Sequence, residues 1–299
     1  MTTLDRKRFY RRARARDSFG AFLFIVPSLI GFIIFFLVPT IRGVSISFTN
    51  WNLLNKSRFI RFENYANLFQ DDQFWNSLWV TVQYVVENVP VQVLMSLLIA
   101  VLMAKVGTSM AFRGVMLIPW LLPNVVVALL WVWLLDPAFG FLNELIKHLG
   151  HGPLPFLTST AMAMPSVVGI NIWRHMGYIA LIIFAGIQSI PKEVDEAALI
   201  DGAGPWRAFF HVTVPLLRPV LAFVIITAVI GSFQIYDTVA IATKGGPVQS
   251  TWVMNFMIYK TAFESYQMGY ATAITMVLFV ILIGITYVQM RLMRAGEGD

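Results

Sequence analysis

Long stretches without charge divide the chain. Ser18 to Ile41, Gly114 to Leu135, Pro219 to Tyr236 and Ser265 to Met290 contain no Asp, Glu, Lys or Arg. The last turns of the Pro219 stretch stay apolar as far as Ala242, apart from Asp237. Asp72 to Lys105 encloses a single charge, Glu87, and Gly152 to Pro191 a single charge, Arg174. A helix needs about 20 mostly apolar residues to cross the hydrocarbon core of a bilayer. In lipid every backbone polar group must be satisfied inside its own segment, which selects helices over irregular chain. The six stretches therefore predict six transmembrane helices and an all-α membrane protein. Composition agrees: 58% of the 299 residues are hydrophobic and 13% charged, about half the charged fraction of a soluble domain.

Charge then orients the helices. "RKRFYRRARAR" places seven basic residues between Arg6 and Arg16. The run reads as a solvated tail beside anionic lipid, not a nucleic-acid site. The apolar stretch after it is full length, so it reads as an uncleaved anchor and not a signal peptide. With the N-terminus in the cytoplasm, that side receives the tail, Lys105, Arg113, Lys192, Arg207, Arg218, Arg291 and Arg294. The outer side receives Arg42, Lys56, Arg58, Arg61, Lys147, Lys244 and Lys260. Fourteen cations against seven satisfies the positive-inside bias and places both termini in the cytoplasm. The organisation expected is a tail over 1–17 and one six-helix domain over 18–299.

Several chemistries are excluded. The chain has no cysteine, so it has neither a disulfide framework nor a thiolate metal site. Its four histidines do not form a metal cluster. No G-x-x-x-x-G-K-[ST] phosphate loop occurs, so the chain does not hydrolyse ATP itself. Trp75, Trp79, Trp131 and Trp133 fall where interfacial aromatic belts form, whereas Trp120 lies deeper in its span.

The cytoplasmic segment of about 187–218 is too polar for a span and too patterned for a linker. Ser189, Pro191 and Glu193 resemble a helix start, with a capping hydroxyl, proline in the first turn and an acid near the positive end. Asp201-Gly202 is a stop, because glycine adopts the left-handed conformation that ends helices. Gly204-Pro205 restarts the chain, and Trp206 to His211 suit a second short helix. Ala197 and Ala198 permit close approach of another backbone, and Trp206 and Phe209 add bulky apolar surface. Such a knob fits a groove on a soluble partner. Packing down on its own bundle is the competing reading.

The segment carries Glu196-Ala197-Ala198, three residues, Gly202, nine residues, then Val212-Thr213-Val214-Pro215. It resembles the signature loop of permease subunits in binding-protein-dependent ABC importers. Those families favour Ile-x-Leu-Pro at the end, and Val-Thr-Val-Pro is a conservative departure. "IPKEVDEAALIDGAGPWRAF", "RFENYANLF", "TKGGPVQST" and "MGYATAI" are similar to the carbohydrate-uptake subfamily, so the likeness covers most of the chain after the tail.

The resemblance implies a multi-pass subunit of the bacterial cytoplasmic membrane. Its partners would be a second homologous permease, two ATP-binding subunits and an extracytoplasmic solute-binding protein. ATP and Mg would be used by the ATP-binding subunits, with no cofactor on this chain. The resemblance also makes the loop a coupling helix, with Glu196, Ala197, Ala198, Asp201 and Gly202 engaging the ATPase; Trp206 and Phe209 are added as apolar supports. Sugars are the favoured solutes, followed by glycerol-phosphate-type molecules.

Polar residues inside spans are costly and therefore informative. Glu87 and Asn88, then Asn171 and Arg174 with His175, then Gln234, Tyr236 and Asp237 form three groups that could line a solute path. Against this, Glu87 and Arg174 could simply neutralise each other, and Asp237 could lie at the membrane surface. Gly245-Gly246-Pro247 predicts an ordered outer turn, with Thr251 capping the next helix. A secondary transporter would show an internal repeat with matched broken helices. An intramembrane enzyme would show His or Asp at catalytic spacing. Neither pattern is present.

Overall fold

The computed structural model describes Phe22, residues 24–107 and residues 109–294; the side chains of Asp195, Leu199 and Arg294 are left out. The basic tail, residues 1–17, lies outside the described residues, as does most of the start of the first span. Among the described residues the chain is helical, with one isolated β-bridge between Thr49 and Phe59.

Five helices are long and apolar enough to cross a membrane. They are α1 (Phe24–Ser47), α3 (Asp72–Val106), α7 (Ala163–Gln188), a segment over Arg218–Ala242, and α13 (Met268–Arg294). Between α1 and α3 lies α2 (Glu63–Gln70). It is not a surface ornament. Asn64 is buried, and its amide donates to the carbonyls of Ser47 (2.8 Å) and Thr49 (2.9 Å), closing the orphan end of α1.

The stretch from Gly114 to Leu135 departs from expectation. It is not one rod but two half-helices, α4 (Met110–Leu121) and α5 (Asn124–Leu134), bent by 91°. The cause is local. Pro123 has no N–H and holds Leu122 in extended geometry (ψ 141°). An uncharged run conceals a break of this kind. After α5, α6 (Phe141–His148) precedes α7.

The Arg218–Ala242 segment is also interrupted. Helix α10 (Arg218–Phe233) ends, Gln234 to Tyr236 unwind, and α11 (Asp237–Ala242) resumes. Helix α12 (Met254–Tyr259) comes next and runs on through a π turn, Lys260–Glu264.

The central pillar is α3, with α7 packed along it and α10 beside both. Ala100 and Met103 meet Ile183, Phe184, Leu217 and Val224 near one end. Val80 and Tyr84 meet Met164, Val167, Val239 and Phe256 higher up, and Phe74 meets Met254, Met257 and Ile274. Helix α4 crosses α7 at Gly177, where a Cβ would fall 2.0 Å from the carbonyl oxygen of Met116; only glycine permits that approach. The outward faces are apolar, as lipid requires, with Phe24, Phe35, Trp79 and Val106 among the exposed side chains. Trp75 and Trp133 are exposed too, in keeping with belt positions. Trp131 instead meets Trp173 edge-on, 5.5 Å between centroids, and its ring nitrogen is buried.

Candidate functional site

Two polar features stand out from this apolar frame, one at a helix-bundle end and one inside it. The first is a lever made of α8 (Lys192–Ile200) and α9 (Pro205–Ala208). It emerges beside the cluster of Ala100, Met103, Ile183 and Leu217. The stop is built as the sequence implied: Gly202 has φ +74°, and the N–H of Ala203 donates to the carbonyl of Ala198 at 2.9 Å. This is the six-to-one hydrogen bond of a Schellman ending. Gly204 in extended geometry and Pro205 at the first helical position then start α9.

Two details of the lever differ from expectation. Ser189 does not cap α8. Its hydroxyl donates to the carbonyl of Gly186 at 2.7 Å and so finishes α7. The second helix is longer than Trp206 to His211, because α9 continues through a π turn (Phe209–Thr213) into Val214–Leu216. Ala198 is buried, while Glu196, Ala197, Asp201 and Gly202 face outward. Ile200 is 86% exposed and Trp206 78% exposed. Trp206 stacks on Phe210 (6.3 Å, 15°), and Phe209, partly buried, meets Phe210 edge-on. The lever therefore does not pack all of its bulky surface down onto the bundle.

The second feature lies among the spans. Asn88 is fully buried on α3; its amide donates to Gln92 Oε1 (2.7 Å) and Ser232 Oγ (3.0 Å). Its own oxygen accepts from the Asn171 amide at 3.1 Å. This network joins α3, α7 and α10. Glu87 stands apart, accepting from Gln83 at 2.9 Å. Among the described residues no ion pair joins it to Arg174, so mutual neutralisation is not what holds these charges.

Arg174 has other work. Nη2 donates to the carbonyls of Trp120 (3.2 Å) and Leu122 (3.1 Å), the loose end of α4. Nη1 donates to His175 Nε2 at 3.0 Å. His175 Nδ1 faces the Asn171 carbonyl at 2.9 Å. A guanidinium only donates and a carbonyl only accepts, so the His175 proton sits on Nδ1. Asp237 stands near Arg174, but among the described residues no ion pair joins the two. Asp237 accepts a hydrogen bond from the amide of Asn124, the first residue of α5. Trp120 lies flat on Tyr178, 4.4 Å between centroids and 8° between planes. Tyr236 meets Tyr259 at 5.1 Å, and Gln234 is exposed at the end of α10.

Thus the structure gathers Asn88 with Asn171, and Asn124 with Asp237, while Arg174 holds the end of α4. Gln234 and Tyr236 lie at the break beside Asp237, and Glu87 stays outside the hydrogen-bonded groups. Sequence reading missed Gln92, Ser232, Asn124 and Tyr178. Gln92 follows Asn88 by one helical turn, and Asn124 follows a proline inside an apolar run; both signals are visible in retrospect. At the opposite end of α3, Thr251 does not cap α12. It bonds Thr243 Oγ1 and the Gly246 carbonyl, closing its own turn, while Thr81 on α3 accepts the Met254 N–H at 2.9 Å.

A bundle of apolar spans with internal breaks, a buried polar seam and an ordered lever at one end defines a solute permease. The chain belongs to the family described as "Binding-protein-dependent transport system inner membrane component", whose profile matches residues 65–293. It is 34% identical to the probable ABC transporter permease protein YurN of Bacillus subtilis (strain 168) over 93% of this chain and 97% of YurN. It is 33% identical to the sulfoquinovosyl glycerol transport system permease protein SmoG of Agrobacterium fabrum, over 99% of this chain and 98% of SmoG. Its fold is that of a chain in the crystal structure of a bacterial ABC transporter involved in the import of the acidic polysaccharide alginate. The TM-score is 0.82 at 24% identity, covering 96% of this chain and 99% of that one.

Proposed function

We propose that this chain is a permease subunit of an ATP-driven importer for hydroxyl-rich solutes of the sugar class. It forms half of the translocation path in the cytoplasmic membrane, beside a second homologous permease. The bent pair α4–α5 counts as one crossing, giving six, with both termini in the cytoplasm. An extracytoplasmic binding protein delivers the solute, and two separate ATP-binding subunits hydrolyse ATP.

The observation that carries this reading is the lever. Glu196, Ala197, Ala198, Asp201 and Gly202 lie on one ordered helix and its glycine stop, with Trp206 and Ile200 largely exposed. A helix pair with an apolar tip suits a groove on a soluble ATPase. Closure of the ATPase pair on ATP then moves the lever as a rigid body, and packed spans respond by switching between discrete arrangements. Asn88, Asn171, Arg174, Gln234, Tyr236 and Asp237 offer hydrogen bonds and aromatic faces along the path, with Glu87 at its margin. The sugar class is supported by the subfamily likeness and by the named substrate of the SmoG relative.

The test is direct. The chain is purified from its own cells and assayed for a co-purifying ATPase, and Glu196→Ala is assayed for ATP-dependent uptake in vesicles. Retention of the ATPase and loss of uptake in the variant is the expected result. A permease that transports without any ATPase, or a Glu196→Ala variant with unchanged uptake, overturns it. A thermal-shift screen of the partner binding protein, with neutral sugars and sn-glycerol 3-phosphate, identifies the solute to be used.

A further inference from the structure

Two spans of this chain are broken inside the apolar region, and the breaks are fastened to each other. The amide of Asn124, which opens α5 after the first break, donates to the carboxylate of Asp237, which opens α11 after the second. The 91° bend between α4 and α5 leaves carbonyls without helical partners. Arg174 on α7 donates to two of them, at Trp120 and Leu122. We propose that Arg174, Asn124 and Asp237 form a latch, which holds both breaks against α7 in this state and must open when the permease changes state. The inference rests on the transport reading above and adds to it the residues that set the switch.

Chain connectivity supplies the argument. The lever is flanked directly by α7 on its N-terminal side and α10 on its C-terminal side. Arg174 stands on α7 fourteen residues before its end at Gln188, about 21 Å of helix. Asp237 follows the sixteen residues of α10, about 24 Å of helix. A displacement of the lever therefore reaches the latch along two rods of nearly equal length, one to each charged partner. Helix α7 is closed on α4 at Gly177 and packed along α3, and α10 packs against α3 and α13. The break at Gln234 to Tyr236 and the break at Leu122-Pro123 are where the strain of such a motion can be absorbed.

A latch of this chemistry is bistable. Opened without water, it would leave the Asp237 carboxylate and two carbonyls unpartnered and Arg174 with His175 alone, each loss costing free energy. Water or a hydroxyl-rich solute offers both donors and acceptors, so the open state is favoured when the path is filled. The solute thereby binds the two states unequally, as any ligand that biases a switch must.

This chain carries no cysteine of its own. Asn124→Cys and Asp237→Cys are combined in the assembled importer, and the pair is bridged with a short bifunctional methanethiosulfonate, then released with reductant. ATP hydrolysis stimulated by the binding protein is the readout, with each single-cysteine variant as control. Bridging is expected to lower stimulated hydrolysis at least tenfold, and reductant to restore it. Stimulated hydrolysis that proceeds unchanged while bridged overturns the latch.

A second arm needs no cross-link. Asn124→Ala and Asp237→Ala are expected to raise unstimulated hydrolysis severalfold. The exchange Asn124→Asp with Asp237→Asn, which again faces one amide with one carboxylate, is expected to bring it back down. Single variants with wild-type unstimulated hydrolysis, or an exchange no better than the singles, also overturn it. Stimulated hydrolysis in the unmodified importer is a separate control: its absence strikes the transport reading, while the latch is read from differences within one preparation.

Discussion

Ala203 donates its N–H to the carbonyl of Ala198 at 2.9 Å, across a glycine held at φ +74°. This one hydrogen bond sets the angle at which the two arms of the lever leave each other. Nothing stands within 4 Å of where a Cβ on Gly202 would lie, so a substitution there meets a conformational cost and no clash. Gly202→Val is expected to cost about 1–2 kcal/mol of local stability, and Gly202→Asn less, because only glycine and asparagine enter the left-handed region readily. ATP-dependent uptake in vesicles should fall for valine and be largely kept for asparagine.

Trp206 is the exposed anchor of the same lever. It is stacked on Phe210 but presents most of its surface outward. Trp206→Ala should leave the melting temperature of the isolated permease nearly unchanged. Its affinity for the ATPase subunit should drop by about 2 kcal/mol or more, the range of an aromatic hot spot. Titration of the detergent-solubilised permease with the purified ATPase checks both the size and the selectivity of the effect.

Asn88 serves three partners from a position with no solvent. Asn88→Leu removes the acceptor of the Asn171 amide and the donor to Ser232, and should destabilise by about 1–3 kcal/mol. Asn88→Asp brings a charge into the same place and should be worse. A double-mutant cycle with Ser232→Ala, read by unfolding in mixed micelles, should give a coupling of about 0.6–2 kcal/mol.

Gly177 lets α4 and α7 touch backbone to backbone. Gly177→Ala places a methyl group where the Met116 carbonyl oxygen already is. The helices must separate, at about 1–3 kcal/mol. Because Arg174 lies one turn away and is bonded to the end of α4, uptake should fall together with thermal stability. Gly169→Ala, on the same helix with open space around its Cβ, should do neither.

The helical spans were legible because lipid leaves few solutions: a charge-free run of sufficient length forms a helix. The lever was legible because Gly202 enters the left-handed region and Pro205 fixes φ at the first helical position. What escaped was of two kinds. Leu122-Pro123 breaks an apolar run without any change in hydropathy, so an apolar count runs through it. The other kind is distance along the chain. Asn124 and Asp237 are 113 residues apart, and Thr81 caps a helix starting 173 residues later. No local pattern encodes such partnerships. Ser189 shows the reverse case, where a local pattern favoured one helix and the hydroxyl went to its neighbour.

The right-angled elbow at Pro123 has a consequence for biogenesis. Its two arms, twelve and eleven residues long, measure about 18 and 17 Å. Each is far short of the roughly 30 Å hydrocarbon layer. Neither arm can settle in lipid alone, and the arginine that satisfies the elbow is itself expensive to insert. The segment is expected to enter the bilayer together with the helix bearing Arg174, each covering the other's polarity.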